Sequence, residues 1–280
     1  MSLSSLSHRE RCLLSLFVLL VLAAVVGPAV PSSGLGAAPF ADGHAWRGLP
    51  NAMDVLSNLP FAAIGIWGLR WLHWLDRAHE QVQEAAPLPQ AAFQPPVNSL
   101  DCAWMFFAGL ILTAVGSAFY HLEPDSMRLA ADRAGMAVAF AGLVGFAVCE
   151  RVSSRAGWPA AWFTLAGGLL AAAICHTTGN ALPWALVQFG GMALIATLAL
   201  IKPMNGAIGL KLGWVIFFYV LAKMFELADH AIFEATHQFV SGHTLKHLTA
   251  ALAALPVLHA LQAMERQALR HNPGAATVTA

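Results

Sequence analysis

Two histidines, His243 and His247, stand four residues apart, and a third, His121, follows Ser117 at the same spacing. Residues four apart share one face of a helix, so His243 and His247 can bind a single metal ion from one helix. A third imidazole from elsewhere would complete the ligand set of a catalytic zinc site, which keeps its fourth position for water. Pairs with this spacing also arise by chance, so their surroundings decide the interpretation.

The composition assigns these histidines to a membrane protein. Of the 280 residues, 58% are hydrophobic and 11% are charged, whereas soluble domains carry about 25% charged residues. The mean hydropathy is +0.63. We therefore expect an all-α polytopic membrane protein. A formal net charge of zero and scattered basic residues exclude a nucleic-acid partner.

Membrane-spanning helices need about 20 apolar residues, and eight segments meet this length. They centre on 12–30, 54–75, 101–121, 129–149, 158–176, 182–201, 211–230 and 243–264. The last seven predict a seven-transmembrane-helix core over residues 51–265. The first predicts an additional N-terminal helix, followed by an outer loop, within residues 1–50, although Arg9 and Arg11 before its apolar stretch also suit a signal sequence. Residues 266–280 predict a disordered cytoplasmic tail.

The basic residues of the loops and tails predict the orientation. Ten lie on one side of the membrane, namely Arg9, Arg11, Arg70, Arg77, Arg151, Arg155, Lys202, Lys211, Arg266 and Arg270, and only Arg47 and Arg128 lie on the other. The positive-inside rule therefore makes both termini cytoplasmic. The short loops and compact size favour a bacterial inner membrane with the site facing the periplasm. In a eukaryote the same topology faces the lumen of the endoplasmic reticulum or Golgi.

In this topology four polar residues lie at the same outer depth. His121 ends the third helix, Asp132 begins the fourth, and His243 and His247 begin the eighth. The short turn over residues 123–127 predicts that the third and fourth helices pack as antiparallel neighbours. Ionisable groups inside a membrane are costly and usually functional, so this group predicts a buried metal site.

The arrangement of Ser117 and His121, of Asp132 eleven residues later, and of His243 with His247 in the last helix resembles the alkaline ceramidase family. That family belongs to a superfamily of seven-helix membrane hydrolases that includes adiponectin-receptor-like and Per1-type proteins. The resemblance covers roughly residues 51 to 264. It implies a seven-helix core around a zinc ion, with the first helix as an addition.

The resemblance also implies a role for each residue. His121, His243 and His247 would be the Zn2+ ligands, and Asp132 would orient or deprotonate the zinc-bound water. Ser117 would donate a hydrogen bond to the oxyanion. The expected activity is that of a hydrolase in sphingolipid metabolism, which cleaves the N-acyl bond of a sphingoid or related membrane lipid to a fatty acid and an amine.

Two departures from the family pattern affect the substrate and a second metal. Arg133 follows Asp132 where alkaline ceramidases typically have an acidic residue, so the head-group environment differs and the substrate need not be ceramide. Ceramidases also carry an acidic calcium-binding cluster before the first core helix. Only Asp42, Asn51 and Asp54 lie near that position here, which gives little support for calcium.

Four further polar residues are candidates for an outer layer of the site. Asn58 resembles the ceramidase segment at the first core helix. Glu226, Asp229 and His230 form a polar group at the outer end of the seventh helix. They would hold the zinc ligands in one tautomer, or they form an interfacial cluster that bonds the short loop; the sequence leaves both readings open.

Several other functions compete with a zinc hydrolase. A haem protein is disfavoured because two ligands from one helical turn cannot reach opposite faces of a porphyrin. A rhomboid-type serine protease is disfavoured because Ala118 follows Ser117. Proton transport is disfavoured because the polar groups gather at one depth. A receptor or lipid-binding protein with a structural zinc stays open, as does a lipid hydrolase that acts on an ester.

Overall fold

The computed structural model describes residues 5–32, 39–85 and 98–271, and within these residues the ordered elements are helices, with no β-strand. A π-helical turn, Leu186–Gly190, joins two of them. The α-helices are α1 His8–Val26, α2 Ala52–Leu56, α3 Leu59–Ala85, α4 Ser99–Leu122, α5 Ser126–Arg151, α6 Ser154–Thr178, α7 Leu182–Ala185, α8 Gly191–Ala199, α9 Leu212–Leu227, α10 Asp229–Ala235, α11 Gly242–Leu252 and α12 Leu255–His271.

Six helical segments of the described chain are long and apolar enough to cross a membrane. They are Ala52–Arg77, Ser99–Leu122, Ser126–Arg151, Ser154–Thr178, Leu182–Ala199 and Gly242–Arg266. Each coincides with one of the eight segments predicted from the sequence, so an all-helical, multi-pass membrane protein is confirmed. The other two predicted segments also form helices, but α1 begins with three charged residues and α9 has only 16 residues.

The predicted tail begins inside a helix. α12 continues to His271, and residues 272–280 lie outside the described residues.

At the other end of the chain, Glu10 attaches the start of α1 to the start of α6. Its carboxylate accepts hydrogen bonds from Arg155 Nε at 2.7 Å and from Ser153 Oγ at 2.6 Å. α1 is therefore held to the rest of the bundle by charge as well as by apolar packing.

Helices α4 and α5 pack as antiparallel neighbours, as their short connection predicts. Their backbones touch where the facing residue is glycine: a Cβ at Gly116 would lie 2.7 Å from Ala131 O, and a Cβ at Gly109 would lie 2.2 Å from Ala139 N. The contact on α5 moves toward the C-terminus as the position on α4 moves toward the N-terminus. Small residues allow this close approach in membrane helix pairs.

The loop between α8 and α9 is fixed by a buried acid. The Glu150 carboxylate accepts the backbone N–H groups of Ile208 at 2.6 Å and of Gly209 and Leu210 at 3.0 Å each. Arg151 donates to Leu210 O at 3.0 Å. The end of α5 thereby sets the position at which α9 enters the bundle.

The first membrane-spanning segment is interrupted between α2 and α3. Ser57 and Asn58 form the break, and both side chains are buried. Non-helical backbone at membrane depth is tolerated where it is enclosed by protein or lines a cavity. At this break the helix is interrupted, and buried polar side chains make local contacts there instead.

Candidate metal centre

The three predicted ligands converge in the structure. His121, His243 and His247 are 1%, 3% and 4% exposed. The Nε2 atoms of His121 and His243 are 3.2 Å apart, and one nitrogen from each of the three rings lies within 4.8 Å of the others. Among the described residues, this is the one group of three or more His, Cys, Asp or Glu side chains so arranged.

The spacing and chemistry of the cluster suit a metal ion. Two nitrogens at 2.0–2.1 Å from a tetrahedral zinc would be about 3.3 Å apart, close to the 3.2 Å found between His121 and His243. His121 Nδ1 is buried and has no hydrogen-bond partner among the described residues. Three buried imidazoles could therefore bind a metal, although the arrangement does not by itself identify which metal.

A serine at the α2–α3 break orients one of the rings. Ser57 Oγ lies 2.8 Å from His247 Nδ1 and 3.0 Å from Asp54 O. The hydroxyl has one proton, which it donates to the carbonyl oxygen, so it accepts from Nδ1–H. The Nε2 lone pair of His247 is then free to bind a metal. Sequence reasoning missed Ser57, although it directly precedes Asn58 in the segment that carries the resemblance.

Each candidate calcium residue has a hydrogen-bond partner, although the second carboxylate oxygen of Asp54, Oδ2, is buried and has none among the described residues. Asn51 Nδ2 donates to His121 O at 2.7 Å. Asp54 Oδ1 accepts from Thr244 Oγ1 at 2.9 Å. Asp42 Oδ1 accepts the backbone N–H of its neighbour His44 at 2.9 Å. Asn51 and Asp54 thus hold the helices that carry the histidines.

Asp229 and an aromatic residue of the outer loop close the cluster. The Asp229 carboxylate accepts from His243 N at 2.8 Å and from Ala41 N at 3.0 Å, and so it joins the loop to the start of α11. The Phe40 ring lies 4.7 Å from the His121 ring and 4.4 Å from the His243 ring, measured between centroids. No periodic pattern marks this loop, so sequence reasoning missed Phe40.

Ser117 and Asp132 lie beside the contact of α4 with α5 at Gly116. The missing side chain at Gly116 brings the backbone of α5 against α4 at Ala131 and Asp132. The Ser117 hydroxyl and the Asp132 carboxylate are therefore near neighbours across this helix contact. Both residues line the same cavity as His247, whereas Asp132 is not one of the clustered metal-binding side chains.

The cavity is polar toward the histidines and apolar beyond them. The cavity has a volume of about 180 Å³, many times that needed for one water. Along α5 the lining runs from Leu129 to Leu143, which is about 21 Å of helix. The apolar part is lined by Phe106, Leu110, Met136, Phe140 and Leu143, among others.

Glu226 lies between two lysines on the cavity wall. It forms an ion pair with Lys223 and accepts from Lys246 Nζ at 3.3 Å. Lys246 Nζ is also 3.1 Å from His243 Nε2. Sequence reasoning missed Lys246, whose signal is its position three residues after His243. His230, by contrast, is exposed and does not line the cavity.

Arg133, which directly follows Asp132, also lines the cavity. Arg133 is buried; it donates to Cys175 Sγ at 2.7 Å, and its guanidinium lies 5.4 Å from the centre of the Trp184 ring. Trp184 and Gln188, which belongs to the π-helical turn, line the same cavity. The cavity lining therefore carries further polar and aromatic groups besides His247 and Asp132.

No protein-family model matches this chain, and no curated protein matches it. The fold and the site define its class as an all-helical, multi-pass membrane protein with a buried three-histidine cluster that could bind a metal.

Proposed function

We propose that this protein is a zinc-dependent integral-membrane amidohydrolase that cleaves the N-acyl bond of a lipid. The proposal rests on one observation: His247 of the buried three-histidine cluster lines the same cavity as Ser117 and Asp132, which are neighbours across the contact of α4 with α5. A metal, a carboxylate and a hydroxyl donor are the groups that hydrolysis of an acyl bond requires. The resemblance of the same residues to alkaline ceramidases supports this activity.

Zinc in a three-histidine site lowers the pKa of water to about 7 and polarises a carbonyl group. His121, His243 and His247 would hold the ion, and Ser57 keeps His247 in the tautomer that can bind it. Asp132 would take the proton of the attacking water and then pass it to the nitrogen of the leaving amine. The Ser117 hydroxyl would donate a hydrogen bond to the developing oxyanion.

The cavity supports a lipid as the substrate. Its apolar part extends from the histidine cluster into the membrane-spanning helices, which suits an acyl chain. The polar residues at the other end suit a head group. Because Arg133 replaces the acidic residue typical of alkaline ceramidases, we propose a sphingoid or related N-acyl lipid without restricting the substrate to ceramide.

We propose a seven-helix core with an additional N-terminal helix. Helix α9 supports the predicted crossing over residues 211–230 because it packs beside α11. Helix α1 supports the additional crossing because it is apolar after Arg11. The distribution of Lys and Arg makes both termini cytoplasmic and directs the site toward the periplasm of a bacterial inner membrane.

The first test is the metal content of the detergent-purified protein by mass spectrometry. We expect about one zinc per chain in the wild type and none in the double variant His243→Ala, His247→Ala. His259→Ala is the matched control, because His259 is an exposed histidine away from the cluster and should leave the zinc in place. Absence of metal from wild-type protein purified without chelators would contradict the proposal.

The second test is hydrolysis of N-acyl lipids by the zinc-loaded protein. We expect Asp132→Asn to retain zinc and to lose about 10²–10⁴-fold in kcat, the usual contribution of a general base. Bound zinc without hydrolysis of any N-acyl lipid would favour a receptor with a structural metal, and hydrolysis of esters alone would favour an esterase.

A further inference from the structure

Asn58 carries a buried polar atom that has no hydrogen-bond partner among the described residues. The residue is 1% exposed and lines the cavity, and the unpaired atom is the side-chain oxygen Oδ1. Its Nδ2 donates to Asp54 O at 2.8 Å. Because a carbonyl oxygen accepts only from a donor, this bond fixes which end of the amide is nitrogen. Oδ1 is therefore a fixed acceptor that lacks a donor.

An unpaired acceptor in a buried site favours ligands that supply a donor. Leaving such an oxygen without a hydrogen bond costs the free energy of its lost hydration. A ligand with an N–H or O–H at the right position recovers that free energy. A ligand that places an oxygen acceptor there does not recover it, and two acceptors then face each other.

The position of Asn58 links this acceptor to the reacting bond. Ser57, the adjacent residue in the break between α2 and α3, holds His247, and the cavity that Asn58 lines is also lined by His247, Ser117 and Asp132. Asn58 thus belongs to the same short segment that orients a metal-binding ring. A substrate carbonyl beside this ring has its neighbouring nitrogen or oxygen within the same part of the cavity.

We propose that Asn58 Oδ1 accepts the N–H of a secondary-amide substrate and makes the site selective for N-acyl amides over O-acyl esters. This inference rests on the proposed hydrolase function and narrows its substrate class. An ester has only an oxygen where the amide has N–H, so it leaves Oδ1 unpaired. Sites built to bond a substrate N–H discriminate strongly against analogues that lack it.

The experiment compares three probes with the same acyl chain and the same head group: the N-acyl amide, its N-methyl amide and the O-acyl ester. We measure kcat/KM of zinc-loaded wild type and Asn58→Leu, which has a similar shape but no acceptor. The variant should lose about 10–100-fold on the secondary amide, as expected for a hydrogen bond in a buried site. The ester and the N-methyl amide should change little.

Two further variants separate this contact from general damage to the site. Asn58→Asp keeps an acceptor oxygen and should retain the preference for the secondary amide. Thr113→Val is the matched control, because Thr113 lines the same cavity but its hydroxyl already donates to Gly109 O at 2.8 Å. It should leave the ratio of amide to ester hydrolysis unchanged. Zinc content and thermal unfolding establish that each variant is folded.

The outcomes distinguish the inference from the proposed function. Equal losses on all three probes in Asn58→Leu would overturn the role of Asn58 while leaving the hydrolase intact. If the zinc-loaded wild type hydrolyses none of the three probes, the proposed function fails. Equilibrium binding of the same probes then tests whether Asn58 Oδ1 accepts a hydrogen bond from the secondary amide. Binding is followed by the fluorescence of Trp184, which lines the cavity. A preference for the secondary amide that Asn58→Leu removes supports the contact, and a preference that persists overturns it.

Discussion

At the scale of single residues, the histidine cluster depends on hydrogen bonds to one ring nitrogen and to the backbone groups of its histidines. Ser57 bonds His247 Nδ1, Asn51 bonds the His121 carbonyl oxygen, and Asp229 bonds the backbone N–H of His243. In a membrane interior such groups have no water to compensate them. The partners therefore fix both the positions of the histidines and, at His247, the nitrogen that is offered to a metal.

We predict that Ser57→Ala weakens zinc binding while the fold persists. The variant leaves His247 Nδ1–H without its acceptor, so the ring loses its fixed tautomer and orientation. Loss of such a partner lowers metal affinity by about 10–100-fold, which competition with a chelator measures. Thr177→Val serves as the control, because its exposed hydroxyl bonds its own helix. Unchanged zinc affinity in Ser57→Ala would show that Ser57 is only a helix-break residue.

At the scale of elements, the contact between α4 and α5 brings Ser117 to Asp132. Ser117 and Asp132 lie near the contact at Gly116, and the contact at Gly109 lies further along the same two helices. Two antiparallel helices that touch through backbone atoms have a fixed register, because a shift by one residue would place a side chain against a backbone. The register of this pair is thus the basis of the proposed proton-transfer pair.

We predict that Gly109→Ala destabilises the protein and that Gly167→Ala does not. A Cβ at Gly109 would lie 2.2 Å from Ala139 N, a backbone atom that cannot rotate away, whereas a Cβ at Gly167 would meet nothing within 4 Å. Overpacking of this kind costs about 1–3 kcal/mol in the free energy of unfolding. Thermal unfolding in detergent measures the difference. Equal melting temperatures for the two variants would contradict the close packing of α4 on α5.

At the scale of the whole molecule, charge is distributed unevenly between the two ends of the bundle. Glu150 and Arg151 fasten the loop at one end, whereas the histidine cluster lies at the other. The loops and tails at the Glu150 end carry most of the Lys and Arg residues. The positive-inside rule therefore predicts that this end faces the cytoplasm and that the histidine end faces the opposite side.

We predict that a membrane-impermeant maleimide labels the two ends from opposite sides. Cys12 is the one exposed cysteine of the four, so Cys12→Ser provides the background. Glu234→Cys and Asn205→Cys then replace exposed residues at the histidine end and the Glu150 end. In spheroplasts the first should react at once, and the second only after permeabilisation. The reverse order would place the candidate metal centre on the cytoplasmic side.

Much of the fold was predictable from the sequence because apolar length and charge act locally. Six predicted spans match six helices of the structure, and the short turn before Ser126 correctly implied antiparallel packing. The spacing of His243 and His247 placed both on one face of one helix. His121 was predicted to join them only because the topology places it at the same membrane depth. The structure brings the three rings together, as this prediction requires.

The sequence by itself thus determined the class of protein and the residues that form the histidine cluster, since helix periodicity and membrane hydropathy need no knowledge of distant contacts. Only the tertiary structure decided which groups support the cluster. Ser57, Phe40 and Lys246 reach it across separate elements, and His230 does not line the cavity although it lies near Asp229 in the chain. Such contacts depend on how helices are rotated and broken, and side-chain packing over the whole bundle sets both.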